Sequence, residues 1–94
     1  MKASELLTAL TLPQKKQTYQ GIARFEEQKL LPITQIRQEN RGLVFCSITG
    51  QAPLAMKDLL TILMTHRRLS LYLETKNGTQ PIYGFKEQGN QIIL

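Results

Sequence analysis

Two segments of this chain place apolar residues at helical spacing. Ala3, Leu6, Leu7 and Leu10 form one set; Met56, Leu59, Leu60 and Leu63 form the other, each at the i, i+3, i+4, i+7 positions of one helix face. The hexamers that carry them are nearly the same, Glu5-Leu6-Leu7-Thr8-Ala9-Leu10 against Asp58-Leu59-Leu60-Thr61-Ile62-Leu63. Ser4 is the expected N-cap of the first helix, Pro53 suits the first turn of the second, and Pro13 marks the end or aftermath of the first. Thr8 and Thr61 fall between the apolar positions, where a hydroxyl satisfies a backbone carbonyl or faces water.

After each helix the period changes to two. Leu69, Leu71 and Leu73 alternate with Ser70, Tyr72 and Glu74, which predicts a strand with one face in the core. Asn77-Gly78 supplies positive-φ residues for a tight type I′ hairpin, so the next strand, about Gln80 to Lys86, folds back antiparallel. A turn at Glu87-Gln88-Gly89-Asn90, matched by Glu39-Asn40-Arg41-Gly42 in the first half, and a last strand follow. The first half aligns with this pattern: Phe25 falls on Leu73, Glu26 on Glu74, Pro32-Ile33 on Pro81-Ile82, Ile36 on Phe85, and Leu43-Val44-Phe45 on Ile92-Ile93-Leu94. The predicted fold class is therefore α+β, a single domain of two pseudo-symmetric αβββ repeats with antiparallel meanders. Repeat one covers about residues 1–48, the linker 49–53 and repeat two about 54–94. A three-strand meander with one short helix buries too little alone, so the halves are expected to share one core. Ile33 and Ile36, like Ile82 and Phe85, are three apart, which calls for either a bulge or a second layer. Pro32 and Pro81 open those strands, at a strand start or an edge, because proline cannot donate to a ladder.

Composition narrows the function classes. With 41% apolar and 20% charged residues in 94, the chain has the make-up of an ordinary globular domain. No apolar run approaches the roughly 20 residues of a membrane-spanning helix. The amino-terminal segment lacks the pattern of a signal peptide, and the single Cys46 has no disulfide partner, which together predict a cytoplasmic protein. Twelve Lys and Arg against seven Asp and Glu give +5, a sign that favours phosphates or an acidic partner and also favours solubility.

Candidate chemistry is sparse. One His and one Cys, with no phosphate-binding loop, zinc or dinucleotide motif, predict a non-enzyme with no cofactor and no metal. Cys46, in the strand-like run Leu43–Ile48, reads as a small buried hydrophobe. Glu26 and Glu74, if brought together, would make an acid and base pair; a solvated strand end is the commoner role. Lys15-Lys16 and Arg67-Arg68 each follow a helix and are candidate phosphate-binding corners, with Arg24, Arg37 and Arg41 as supplements. Tyr72 and Tyr83 are candidates for a cross-strand pair on an outer face, and Ile92 to Leu94 form an apolar strand that implies a central place or a dimer.

The first unit combines Ser4-Glu5-Leu6-Leu7 and Leu10 with a Pro-containing loop, Pro32-Ile33, Ile36 and Gly42-Leu43-Val44-Phe45. It resembles a loose pattern found in small uncharacterised bacterial and phage-associated proteins. The second unit resembles it through Asp58–Leu63, Pro81–Phe85 and Gln91–Leu94. The resemblance implies an αβββ unit in tandem and carries no activity or site residue. The expected function is a non-catalytic protein-binding or self-assembly module, homodimeric, working through Tyr72, Tyr83, Ile92 and Leu94. The alternative is nucleic-acid binding through Lys15, Lys16, Arg67 and Arg68. A membrane partner is not expected.

Overall fold

The structure, a computed structural model, describes residues 1–11 and 19–94. Two helices and eight strands form an α+β fold with two four-stranded sheets. In chain order the elements are α1 (Ala3–Leu10), β1 (Gly21–Glu26), β2 (Lys29–Pro32), β3 (Gln35–Glu39) and β4 (Gly42–Cys46) in the first half. The second half supplies α2 (Met56–Thr65), β5 (Ser70–Thr75), β6 (Gly78–Pro81), β7 (Lys86–Gln88) and β8 (Gln91–Ile93). No described helix is long and apolar enough to cross a membrane.

Both helices bury the expected stripe: Ala3, Leu6 and Leu7 on α1, Leu59 and Leu63 on α2, with Leu10, Met56 and Leu60 packed partly against them. Their starts differ from expectation. Lys2 is the N-cap position of α1, and its backbone N–H donates to Glu5 Oε1 at 3.1 Å, so a carboxylate reaching back closes the first turn and Ser4 lies inside the helix. Ala55 is the N-cap position of α2, which leaves Pro53 ahead of the helix. Pro13 lies outside the described residues. Thr8 and Thr61 each donate to the carbonyl four residues back, Ser4 and Lys57, at 2.9 Å.

The strands depart from simple meanders. Each half makes two hairpins, and the two go to different sheets: one sheet runs β2-β1-β8-β7, the other β3-β4-β5-β6. Within each sheet the halves join through a parallel pair, β1 with β8 and β4 with β5, and all other pairings are antiparallel. The expected middle strand is divided because the chain changes sheets partway along it. Ile33 N–H donates to Ile22 O (2.9 Å) in the first sheet, and the next residue, Thr34, donates to Cys46 O (2.8 Å) in the second. In the other half Ile82 N–H donates to Leu71 O (2.9 Å), and the chain then pairs as β7 with β8. The three-residue intervals Ile33–Ile36 and Ile82–Phe85 thus span a change of sheet. Pro32 and Pro81 close the edge strands β2 and β6, where no ladder needs their missing N–H.

Turn geometry revises the hairpin assignments. Glu27 and Gln28, with φ of 50° and 69°, form the turn with two positive-φ residues between the paired Glu26 and Lys29. The second hairpin turns at Lys76-Asn77 between Thr75 and Gly78, and only Gly78 has positive φ (104°). Glu26 and Thr75 close the two hairpins, so Glu26 does not correspond to Glu74. The outer turns do correspond: Asn40 (φ 52°) and Gly89 (φ 61°) are each the first residue between paired ends, Glu39 with Gly42 and Gln88 with Gln91.

One core draws on every layer. Leu6, Ile22, Ile33, Leu43, Phe45, Leu59, Leu63, Leu71 and Ile92 form its fully or almost fully buried centre, from both helices and both sheets. β8 is interior to its sheet, so the apolar terminal strand is paired on both sides and the central placement, not an open edge, applies.

Replacing Leu63 with Ala is expected to cost about 2–5 kcal/mol in urea denaturation, whereas Met64→Ala, on the exposed side of α2, is expected to stay within about 0.5 kcal/mol. Comparable losses at the two sites would contradict the helix orientation. At the outer turn, Gly89→Asn is expected to be nearly neutral because Asn40 already holds that conformation, while Gly89→Val is expected to cost about 1–2 kcal/mol.

Candidate functional site

Two sets of charged side chains stand out among the described residues. The first is a network of ion pairs that ties the sheets and hairpins together. Arg24, on β1 in phase with Ile22, is buried. One of its Nη groups donates across to the backbone carbonyl of Glu74 on β5, in the other sheet, and Nη2 donates to Glu26 Oε1 at 3.1 Å. Arg37 on β3 donates to Glu39 Oε2 (2.7 Å) and Glu74 Oε1 (2.8 Å). Lys76 Nζ donates to Glu27 Oε1 at 2.9 Å, joining the tips of the β1–β2 and β5–β6 hairpins.

These pairs set the titration behaviour. Arg37 beside it holds the Glu74 carboxyl below its ordinary 4.5, helped by the Cys46 thiol. Glu74, and then Glu39, raise Arg37, and Glu27 raises Lys76. Burial, with the Glu74 carboxylate second, pushes Cys46 up to about 11, so the thiol is protonated at neutral pH. Cys46 is fully buried on β4, as a small hydrophobe would be. Arg24 brings Glu26 and Glu74 to a common neighbour, Glu74 through its backbone, but each carboxylate has an arginine. A carboxyl held low offers no proton to donate at neutral pH.

The second set is Arg41, Arg67 and Arg68. Gly42 pairs with Ser70 at the start of the parallel β4–β5 ladder, so Arg41, just before Gly42, and Arg67-Arg68, just before Leu69 and Ser70, gather at one end of the second sheet. All three are exposed, and none has a carboxylate partner among the described residues. The segment is anchored by α1: Ser4 N–H donates to Arg67 O (3.0 Å) and Ala3 N–H to Leu69 O (2.9 Å).

Two hollows flank the β3–β4 turn at this end. One, about 380 Å³, is lined by Gln38, Met64, His66, Arg67 and Arg68. The other, about 410 Å³, is lined by Glu39, Asn40, Arg41, Gly42, Val44, Tyr72 and Thr79. Tyr72 and Val44 are paired across β4–β5, one residue out of phase with the core residues Leu43 and Leu71, so they occupy the opposite face of the sheet. The Tyr72 ring lies against Gly42: a Cβ there would stand 3.2 Å from Cε2 and 3.3 Å from Cδ2. The absence of a side chain at Gly42 is what gives the ring its place.

The predicted site residues are thus dispersed. Lys15 and Lys16 lie outside the described residues, so only the Arg67-Arg68 corner is described, and Arg41 joins it. Arg24 and Arg37 are engaged in the ion-pair network. Pro81, not Tyr83, is opposite Tyr72; Tyr83 lies beyond β6 and is 86% exposed. Ile92 is fully buried in the core and has no surface to offer a partner. Leu94 is half-buried, its N–H donating to Ala23 O at 2.9 Å. Sequence reasoning missed Gly42 as the seat of Tyr72, and Asn40 and Thr79 as lining groups. The turn signal at Glu39-Asn40-Arg41-Gly42 and the candidacies of Arg41 and Tyr72 touched that region without joining it into one site.

Because Glu74 titrates lower in the folded protein than its ordinary 4.5, the unfolded chain binds more protons in that window, and the contribution is present above about pH 4.5 and lost as pH falls through the folded value. The urea midpoint is therefore expected to drop with acidification below about pH 4.5, and Glu74→Gln to flatten that drop. An unchanged pH profile in the variant would remove Glu74 from the network's energetics.

No protein-family model matches this chain, and comparison with curated proteins and with solved structures finds no significant match.

Proposed function

We propose that this domain is a non-catalytic binding module whose partner is a nucleic acid held by its phosphates. The observation that carries the proposal is the placement of Arg41, Arg67 and Arg68, exposed and without a carboxylate partner among the described residues, at one end of the second sheet. Guanidinium groups suit phosphate because their planar fork donates two hydrogen bonds to one anion. The ion pairs elsewhere add to the contrast: Glu26, Glu27, Glu39 and Glu74 are matched to Arg24, Arg37 and Lys76, which leaves the positive potential to the remaining cations.

Self-assembly through the terminal strand has less support. β8 is interior, and the edge strands β2, β6 and β7 are short and carry Lys29 and Pro32, Pro81, and Lys86, while β3 carries Arg37, features that discourage edge-to-edge pairing. Protein contact through Tyr83 is the second candidate, favoured by its 86% exposure.

Fluorescence anisotropy of labelled DNA and RNA across a salt series tests the proposal. Affinity is expected to fall steeply with salt, and the combined Arg41→Gln, Arg67→Gln, Arg68→Gln variant is expected to lose about one unit of logarithmic salt slope per phosphate contact removed. Absence of salt-dependent binding to either polymer would sink the nucleic-acid proposal and direct attention to Tyr83.

A further inference from the structure

The two hollows on either side of the β3–β4 turn differ in character, and Arg41 belongs to the turn between them. The hollow lined by Arg67 and Arg68 offers cations. The larger one is lined by an aromatic ring, an apolar side chain and polar groups: Tyr72 against Gly42, Val44 paired with it, and Glu39, Asn40 and Thr79. We infer that the ligand is a single-stranded nucleic acid, one base of which enters the larger hollow and stacks on Tyr72 while its phosphates lie against Arg41, Arg67 and Arg68. This rests on the arginine corner being the phosphate site.

The chemistry favours a single strand over a duplex. In a duplex the bases are paired and stacked on one another, so none can enter a hollow without being extruded; an unpaired strand can turn a base out at lower cost. Every base has a flat π face that an aromatic ring can accept, and an edge of donors and acceptors that an amide such as Asn40 or a hydroxyl such as Thr79 can meet. Tyr72 is already positioned: its strand is interior to the sheet, and its ring lies close to Gly42, where any side chain would crowd it. A volume of about 410 Å³ leaves room for a base and part of its sugar. Charge and stacking would then act from the two sides of one turn, the combination that single-strand binding surfaces use.

The test compares three labelled probes at fixed salt: a short single-stranded oligonucleotide, the same strand with abasic sites, and the duplex. The intact strand is expected to bind roughly tenfold more tightly than the abasic one, the size of one stacked base. That preference is expected to vanish in Tyr72→Leu and persist in Tyr72→Phe, while the salt slope stays unchanged in both. Should Tyr72→Leu fail to fold by circular dichroism, Thr79→Met fills the hollow from the exposed edge strand β6 with a side chain that offers no aromatic face, and is expected to abolish the preference in its place. Equal binding of intact and abasic strands, tighter binding of the duplex, or a preference that survives either hollow-altering variant overturns the base pocket while leaving the phosphate site intact. No salt-dependent binding of any probe overturns both.

Discussion

Neither half of this chain can complete a sheet from its own strands. Each contributes one hairpin to each sheet, and two parallel ladders, β1 with β8 and β4 with β5, join the contributions. The remaining features follow from that exchange. The chain must pass from one sheet to the other within each half, which it does at Ile33-Thr34 and beyond Ile82. The apolar residues of both halves then meet in a single core, with α1 and α2 packed beside each other over it. Arg24 reinforces the join by reaching from β1 to a β5 carbonyl, at a position from which a buried cation would be costly if its partners were missing.

The same exchange sorts the charges. Glu26, Glu27, Glu39 and Glu74 meet Arg24, Arg37 and Lys76 because three hairpins approach one another, and the pairs are consumed in holding that arrangement. Arg41, Arg67 and Arg68 are brought together by the opposite circumstance, a register that starts β4 and β5 side by side with no carboxylate matched to the arginines. A net charge of +5 would say little if evenly spread; partitioned in this way it acquires a direction.

What could be read in the sequence was local. The helix faces, the carbonyl-bonded Thr8 and Thr61, the alternation of Leu69, Leu71 and Leu73, the buried Cys46 and the outer turns at Asn40 and Gly89 all depend on neighbours within a few residues. The division of the middle strand left a trace, the three-residue interval from Ile33 to Ile36, but a change of sheet and a bulge write the same interval. Strand pairing between distant segments has no local mark at all. The equivalence drawn between Glu26 and Glu74 failed for the same reason, since hairpin register set it one residue away. The site was less legible still: Tyr72 and Gly42 meet through the parallel β4–β5 register, and the arginines of two distant turns are brought to the same end of the sheet by it.

The interior position of β8 also orders events during synthesis. Sheet one needs β8 between β1 and β7, so β1 and β2 wait as an isolated hairpin, marginal in water, until β7 and β8 have left the ribosome. The second sheet has its four strands once β6 has emerged, well before the first. Domains built from such distant pairings fold slowly compared with helical bundles, because loop closure precedes the contacts that reward it. Until its parallel partner emerges, the inner edge of β1, and more briefly that of β4, lacks a neighbour, and unpaired strand edges of this kind are prone to misassociation.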